Sequence, residues 1–193
     1  EAHHAPAATY RAILEHYGAL GPVRPDSAVA IGFTATMVRG DALALGEIWQ
    51  DVVASMSITD AIADGYLVRP RGIHVQVDDL DLASVKVTRG DYREGELGEA
   101  IENSLAPEAI AKAITEHADE RKILLFAPTV HSAEVIADAL RDSGRSVGLV
   151  HGGLSAGARS AVLDAYKGGE TQILANCQVL TEGFDWPAAD CAV

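Results

Sequence analysis

From about residue 105 onward, short apolar runs alternate with helix-length stretches, and few folds accommodate that pattern. Pro107-Glu108 opens a stretch with Ile110 and Ile114 at i, i+4, and proline suits a first helical turn because it lacks an N–H. Ile123-Leu124-Leu125-Phe126 is a continuous apolar run, as in a strand buried on both faces. Ser132 is expected to cap a helix running to about Asp142, with Val135, Ile136, Ala139 and Leu140 on one face. Val147-Gly148-Leu149-Val150 reads as a second strand, Ser155 to about Lys167 as another helix, and Ile173-Leu174-Ala175 as a third strand. Cys191-Ala192-Val193 reads as the start of a fourth. Such alternation builds right-handed βαβ units and a parallel sheet. The expected fold class is α/β, parallel sheets with flanking helices.

The first 72 residues read as part of a different unit. Ala7 to Tyr17 is expected to be helical, ended by Gly18 and the Gly21-Pro22 turn. Val29-Ala30-Ile31-Gly32-Phe33 reads as a strand followed at once by Thr34-Ala35-Thr36, and Ile58 to Ala63 as a short helix stopped at Gly65. One strand cannot close a sheet, so earlier strands of this unit are expected to lie outside the chain. Between the two units, the charged, Gly-punctuated stretch from Val77 to Glu99 is expected to be an exposed, solvated connection.

Composition sets outer limits on function. The 193 residues are 48% hydrophobic and 22% charged, ordinary for a folded protein, and aromatics at 5% leave the core to Ala, Val, Ile and Leu. No window approaches the roughly 18 consecutive apolar residues of a membrane span, and no secretory signal pattern is present. Cys177 and Cys191 lie in no C-x-x-C pair and read as reduced thiols of a cytoplasmic protein. The net charge of −13 argues against a broad basic face for nucleic acid. A narrow groove of backbone amides and hydroxyls remains compatible with it.

In open parallel sheets, ligands bind beyond the carboxyl ends of the strands. That rule selects Thr34-Ala35-Thr36, Pro128-Thr129-Val130-His131, His151-Gly152-Gly153, and Asn176 through Asp185. Three of these loops carry hydroxyls suited to a phosphate, and Gly152-Gly153 would let backbone amides approach an anion. Together they suggest a phosphate-rich ligand. The order E-A-H-H, G-F-T-A-T, L-L-F-A-P-T-V, V-H-G-G-L-S-A-G-A-R, V-L-T-E-G-F-D-W-P resembles the superfamily 2 helicases and translocases. It is most similar to the DEAH-type group that includes the excision-repair helicase UvrB, restriction-enzyme motor subunits and phage helicases.

The resemblance implies partial tandem RecA-like domains of the P-loop NTPase fold. Residues 1–72 would be the C-terminal part of the first, ATP-binding lobe, 73–106 an acidic linker or insertion, and 107–193 a truncated second lobe. Glu1-Ala2-His3 would be the last letters of a D-E-A-H box whose aspartate, the expected Mg²⁺ ligand, lies upstream. Glu1 would orient and deprotonate the water that attacks the γ-phosphate of ATP. His3 would couple that box to Thr34 and Thr36. Thr129 and Thr181 resemble residues that touch the sugar–phosphate backbone of a DNA or RNA strand near Gly152, with Arg159 bracing the contact. Gly183 and Asp185 match positions that approach the ATP ribose and γ-phosphate. Contacts of this kind read no sequence and need few basic residues.

Two expectations concern what these 193 residues contain. No G-x-x-x-x-G-K-[ST] occurs, and the arginine-bearing motif VI of the family is not reached, so the chain alone is expected to be inactive. Two other readings compete: a non-catalytic helicase-like scaffold that binds nucleic acid, and a metal-dependent hydrolase built on Glu1, His3, His4 and His16. Adjacent histidines on a strand would face opposite ways, which argues against the second.

Overall fold

The computed structural model describes residues 1–21, 25–35, 45–88, 90–181 and 183–193. They form two compact units, Glu1–Arg71 and Gly72–Val193. The first begins with a 3-10 turn over Ala2–His4, followed by α1 (Ala8–His16), a second 3-10 turn over Leu45–Glu47 and α2 (Ile58–Ala63). Ser57 starts α2 through a reciprocal capping box with Asp60.

Among the described residues, this unit contains no strand. Val29–Phe33, expected as one, pairs in no ladder, and Val29, Ile31 and Phe33 are 87%, 70% and 80% exposed. The reason is physical: apolar alternation makes a strand only where a neighbouring strand takes up its backbone groups. Here the Phe33 carbonyl accepts the Ala2 N–H at 2.8 Å instead.

The second unit opens with a short antiparallel hairpin, β1 (Val87–Thr88) and β2 (Asp91–Tyr92), then α3 (Glu94–Glu102) and α4 (Ala106–His117). The alternating part follows: β3 (Ile123–Phe126), α5 (Val130–Asp142), β4 (Val147–Val150), α6 (Ala156–Gly168), β5 (Ile173–Asn176) and β6 (Cys191–Ala192). The four long-range strands are parallel, in the order β4-β5-β3-β6. The parallel α/β sheet expected from the sequence is therefore present.

Both faces of the sheet are covered, and the period of two shows which residue serves which face. Ile123, Leu125, Ile173 and Ala175 face Ala111 and Ile114 of α4 and Ala133, Ile136, Ala137 and Leu140 of α5. Leu124 and Leu174 face the other way, onto Tyr166 and Val162 of α6 with Phe184 and Trp186. Each fully buried Leu or Ile contributes about 1.5–3 kcal/mol. Slipping one strand by a residue would exchange the two faces, so the register is strongly specified.

Two expectations need correction. The N-cap of α5 is Thr129, not Ser132: the Thr129 side chain accepts the Ser132 N–H, and Ser132 returns a bond to the Thr129 backbone, a capping box that leaves Ser132 fully buried. The Val77–Glu99 stretch is not simply a solvated connection. Val85 and Gly98 are buried, and Ile101, one turn beyond Leu97, packs on the α4–α5 core. Four glutamates on a nine-residue helix conceal that narrow apolar stripe.

Candidate nucleotide and nucleic-acid site

In the first unit, the segment bearing Glu1 and His3 lies beside the one bearing Thr34. Ala2 joins them: its N–H bonds to Phe33, and its carbonyl accepts the Trp49 indole N–H at 3.0 Å. Gly32 permits this approach, since a Cβ there would come within 2.8 Å of both the Ala2 side chain and the Trp49 ring. His3 Nδ1 then lies 2.8 Å from Thr34 Oγ1 and 3.2 Å from a Glu1 carboxylate oxygen. His3 is half-buried and Glu1 exposed. Thr36 lies outside the described residues.

His4 also belongs to this cluster, contrary to the strand argument. Residues 2–4 form a 3-10 turn, so successive side chains do not alternate, and the His3 and His4 rings stand 4.1 Å apart. Ligand atoms of Glu1, His3 and His4 lie within 4.8 Å of one another. Two imidazoles and one carboxylate form a donor set for a transition metal. Mg²⁺, which demands oxygen ligands in octahedral geometry, does not fit it.

In the second unit, the order of strands marks one end of the sheet. The connection leaving β3 runs past β5 to β4, and the one leaving β5 runs past β3 to β6. Crossovers diverging from adjacent strands mark the switch point where open α/β sheets bind ligands. Thr129 follows β3 and Thr181 follows β5, so both stand at this end of the sheet. Asn176 ties the two strand ends together. Fully buried, it donates to the Leu125 carbonyl at 2.8 Å and accepts the Leu180 N–H at 3.3 Å. From the sequence Asn176 opens a ligand-binding loop; here it is instead a buried tie between strands, which a polar residue closing an apolar strand signals.

The remaining expected residues divide. Thr181, Gly183 and Asp185 are exposed, and Gly183 has φ +72°, which a side chain would strain. Gly152 is exposed, but the Gly153 amide is not free for an anion, because it donates to His151 Nδ1 at 3.2 Å. The Arg159 Nε is buried with no hydrogen-bond partner among the described residues. Arg145 is structural: its guanidinium contacts the Asp119 carboxylate and carbonyl and Thr115, bracing the end of α4. Burial and then the nearby Glu94 charge push the Cys177 thiol upward, so it is a poor nucleophile.

Comparison with known proteins matches residues 106–193 to the helicase conserved C-terminal domain. These residues, the second part of the second unit, are similar to that domain. Over 194 aligned residues it is 30% identical to the Saccharomyces cerevisiae protein named "Putative ATP-dependent helicase IRC3", covering 99% of this chain and 28% of that protein. The Schizosaccharomyces pombe mitochondrial irc3, named in the same way, is 30% identical over 193 residues, 99% of this chain and 31% of that one. Among solved structures, domain 2 of the DEAD-box helicase Mss116p bound to an RNA duplex aligns with 26% identity and a TM-score of 0.39, over 49% of this chain and 38% of that one. The resemblance to superfamily 2 helicases holds, and the chain spans under a third of the two IRC3 relatives. Within residues 106–193, Thr129, Gly152, Arg159, Thr181, Gly183 and Asp185 all lie in loops or first turns rather than in strands.

Proposed function

We propose that this chain is part of an ATP-dependent helicase or translocase that moves along a nucleic-acid strand, with ATP hydrolysed between two RecA-like lobes. One observation carries the reading: the match to the IRC3 relatives runs through both units, from the Glu1-His3-Thr34 cluster to the helicase C-terminal domain. Glu1 aims and deprotonates the water that attacks the γ-phosphate, and the His3–Thr34 contact relays the state of that site. Mg²⁺, held by residues other than the Glu1-His3-His4 cluster, would neutralise phosphate charge. Thr129, Thr181 and Arg159 grip the sugar–phosphate backbone. Gly183 and Asp185 approach the nucleotide.

The test is ATP hydrolysis by the full-length protein with and without a single-stranded oligonucleotide. Stimulation by the strand is expected. Glu1→Gln should retain ATP binding while turnover falls by at least about a hundredfold, the usual scale for a lost general base. Unchanged turnover would remove Glu1 from the chemistry.

A further inference from the structure

The structure shows Thr129 already occupied. Its one hydroxyl hydrogen faces two acceptors, a Glu102 carboxylate oxygen at 3.2 Å and Ser132 Oγ at 2.9 Å, while its lone pairs receive the Ser132 N–H at 2.9 Å. A hydroxyl has one hydrogen, and a carboxylate can only accept. A phosphodiester oxygen likewise only accepts. Thr129 therefore cannot donate to a phosphate while it donates to Glu102.

The obstruction is wider than one bond, because α3 lies over the end of the sheet. Gly98 sits so close to Thr129 that an added Cβ would come within 2.5 Å of its methyl group. One turn earlier, Glu94 accepts a hydrogen bond from Gln178 in the loop after β5. The helix thus bridges the loops after β3 and β5, which flank the switch point, and brings carboxylates to both. The Glu102 side chain is only 16% exposed, so water screens its charge poorly, and His131 at 3.8 Å is its cationic neighbour when protonated.

We infer that Glu102 occupies the position of a backbone phosphate at Thr129, so that α3 is an intramolecular competitor of the nucleic-acid strand. Binding of a strand requires Glu102 to leave. The measured affinity is then the intrinsic affinity reduced by the fraction of molecules in which it has left. This inference rests on the nucleic-acid reading of Thr129 given above.

The experiment measures binding of a fluorescein-labelled, mixed-sequence single-stranded oligonucleotide to the full-length protein and to Glu102→Ala, Thr129→Val and the double variant. Glu102→Ala should bind about three- to tenfold tighter, the net scale of one ordinary hydrogen bond. Thr129→Val should bind more weakly, and adding Glu102→Ala to it should restore nothing. Glu102→Gln, which keeps an acceptor and loses the charge, should fall between wild type and Glu102→Ala, and it serves in place of the alanine variant if that one misfolds. Amide exchange along α3 should also accelerate when the oligonucleotide is added. If Thr129→Val weakens binding but both Glu102 variants bind like wild type or worse, the competitor role fails and the nucleic-acid reading survives. A Glu102→Ala gain that persists with Thr129→Val means general charge repulsion and overturns the inference. Absence of binding by every variant overturns both.

Discussion

At the scale of single residues, two buried polar groups carry opposite expectations. The Tyr166 hydroxyl is buried with no hydrogen-bond partner, and the Tyr166 and Trp186 ring centroids stand 4.9 Å apart. Tyr166→Phe removes an unpaired polar atom and should raise stability by about 1 kcal/mol, measured by denaturant titration. Burial first, then the charges of Asp190 and Cys191, push its pKa up to about 12 from 10.0. Between those values the unfolded chain releases a proton that the folded chain keeps. The native state should therefore lose stability as pH rises through that window, by up to about 1.4 kcal/mol per pH unit. Tyr166→Phe should remove that part of the alkaline slope, and equal slopes in both proteins would refute it. Asn176→Ala, by contrast, strips partners from the Leu125 carbonyl and the Leu180 N–H and should cost about 2–4 kcal/mol. Motif order pointed to His3 and Thr34 as a coupled pair, but not to the backbone bond between Ala2 and Phe33 that accompanies their 2.8 Å contact.

At the scale of elements, the strands and helices after residue 105 were legible because each strand is an apolar run, closed in β5 by Asn176, and each helix carries one apolar face. Two elements were not. The start of α5 moved to Thr129 because threonine and serine three apart can each serve as cap, and only the buried position of Ser132 decides between them. Helix α3 was hidden by its glutamates, although Leu97 and Ile101 mark a face and Gly98 allows close docking. Gly98→Ala measures that docking. Helix propensity alone would gain about 1 kcal/mol from the change. The clash with Thr129 should reverse the sign to a loss of about 1–2 kcal/mol in thermal or chemical melts. A net gain would mean that α3 gives way without cost.

At the scale of the whole molecule, the α/β class and the second unit's parallel sheet follow from the sequence, whereas the strand expected at Val29–Phe33 does not form among the described residues. Local pattern specifies a strand's faces, but pairing depends on what lies beside it. The absence of a G-x-x-x-x-G-K-[ST] motif from these residues predicts that the isolated 193-residue chain shows no strand-stimulated ATP hydrolysis in a phosphate-release assay. Turnover by the isolated chain would mean that other residues cradle the phosphates. The amide of Asn176 also has a mechanical meaning. Tension applied to the segment carrying Thr181 reaches the two central strands at once, through β5 directly and through the Leu125 carbonyl into β3, so a pull on that loop loads the stiffest part of the lobe instead of stretching its edge.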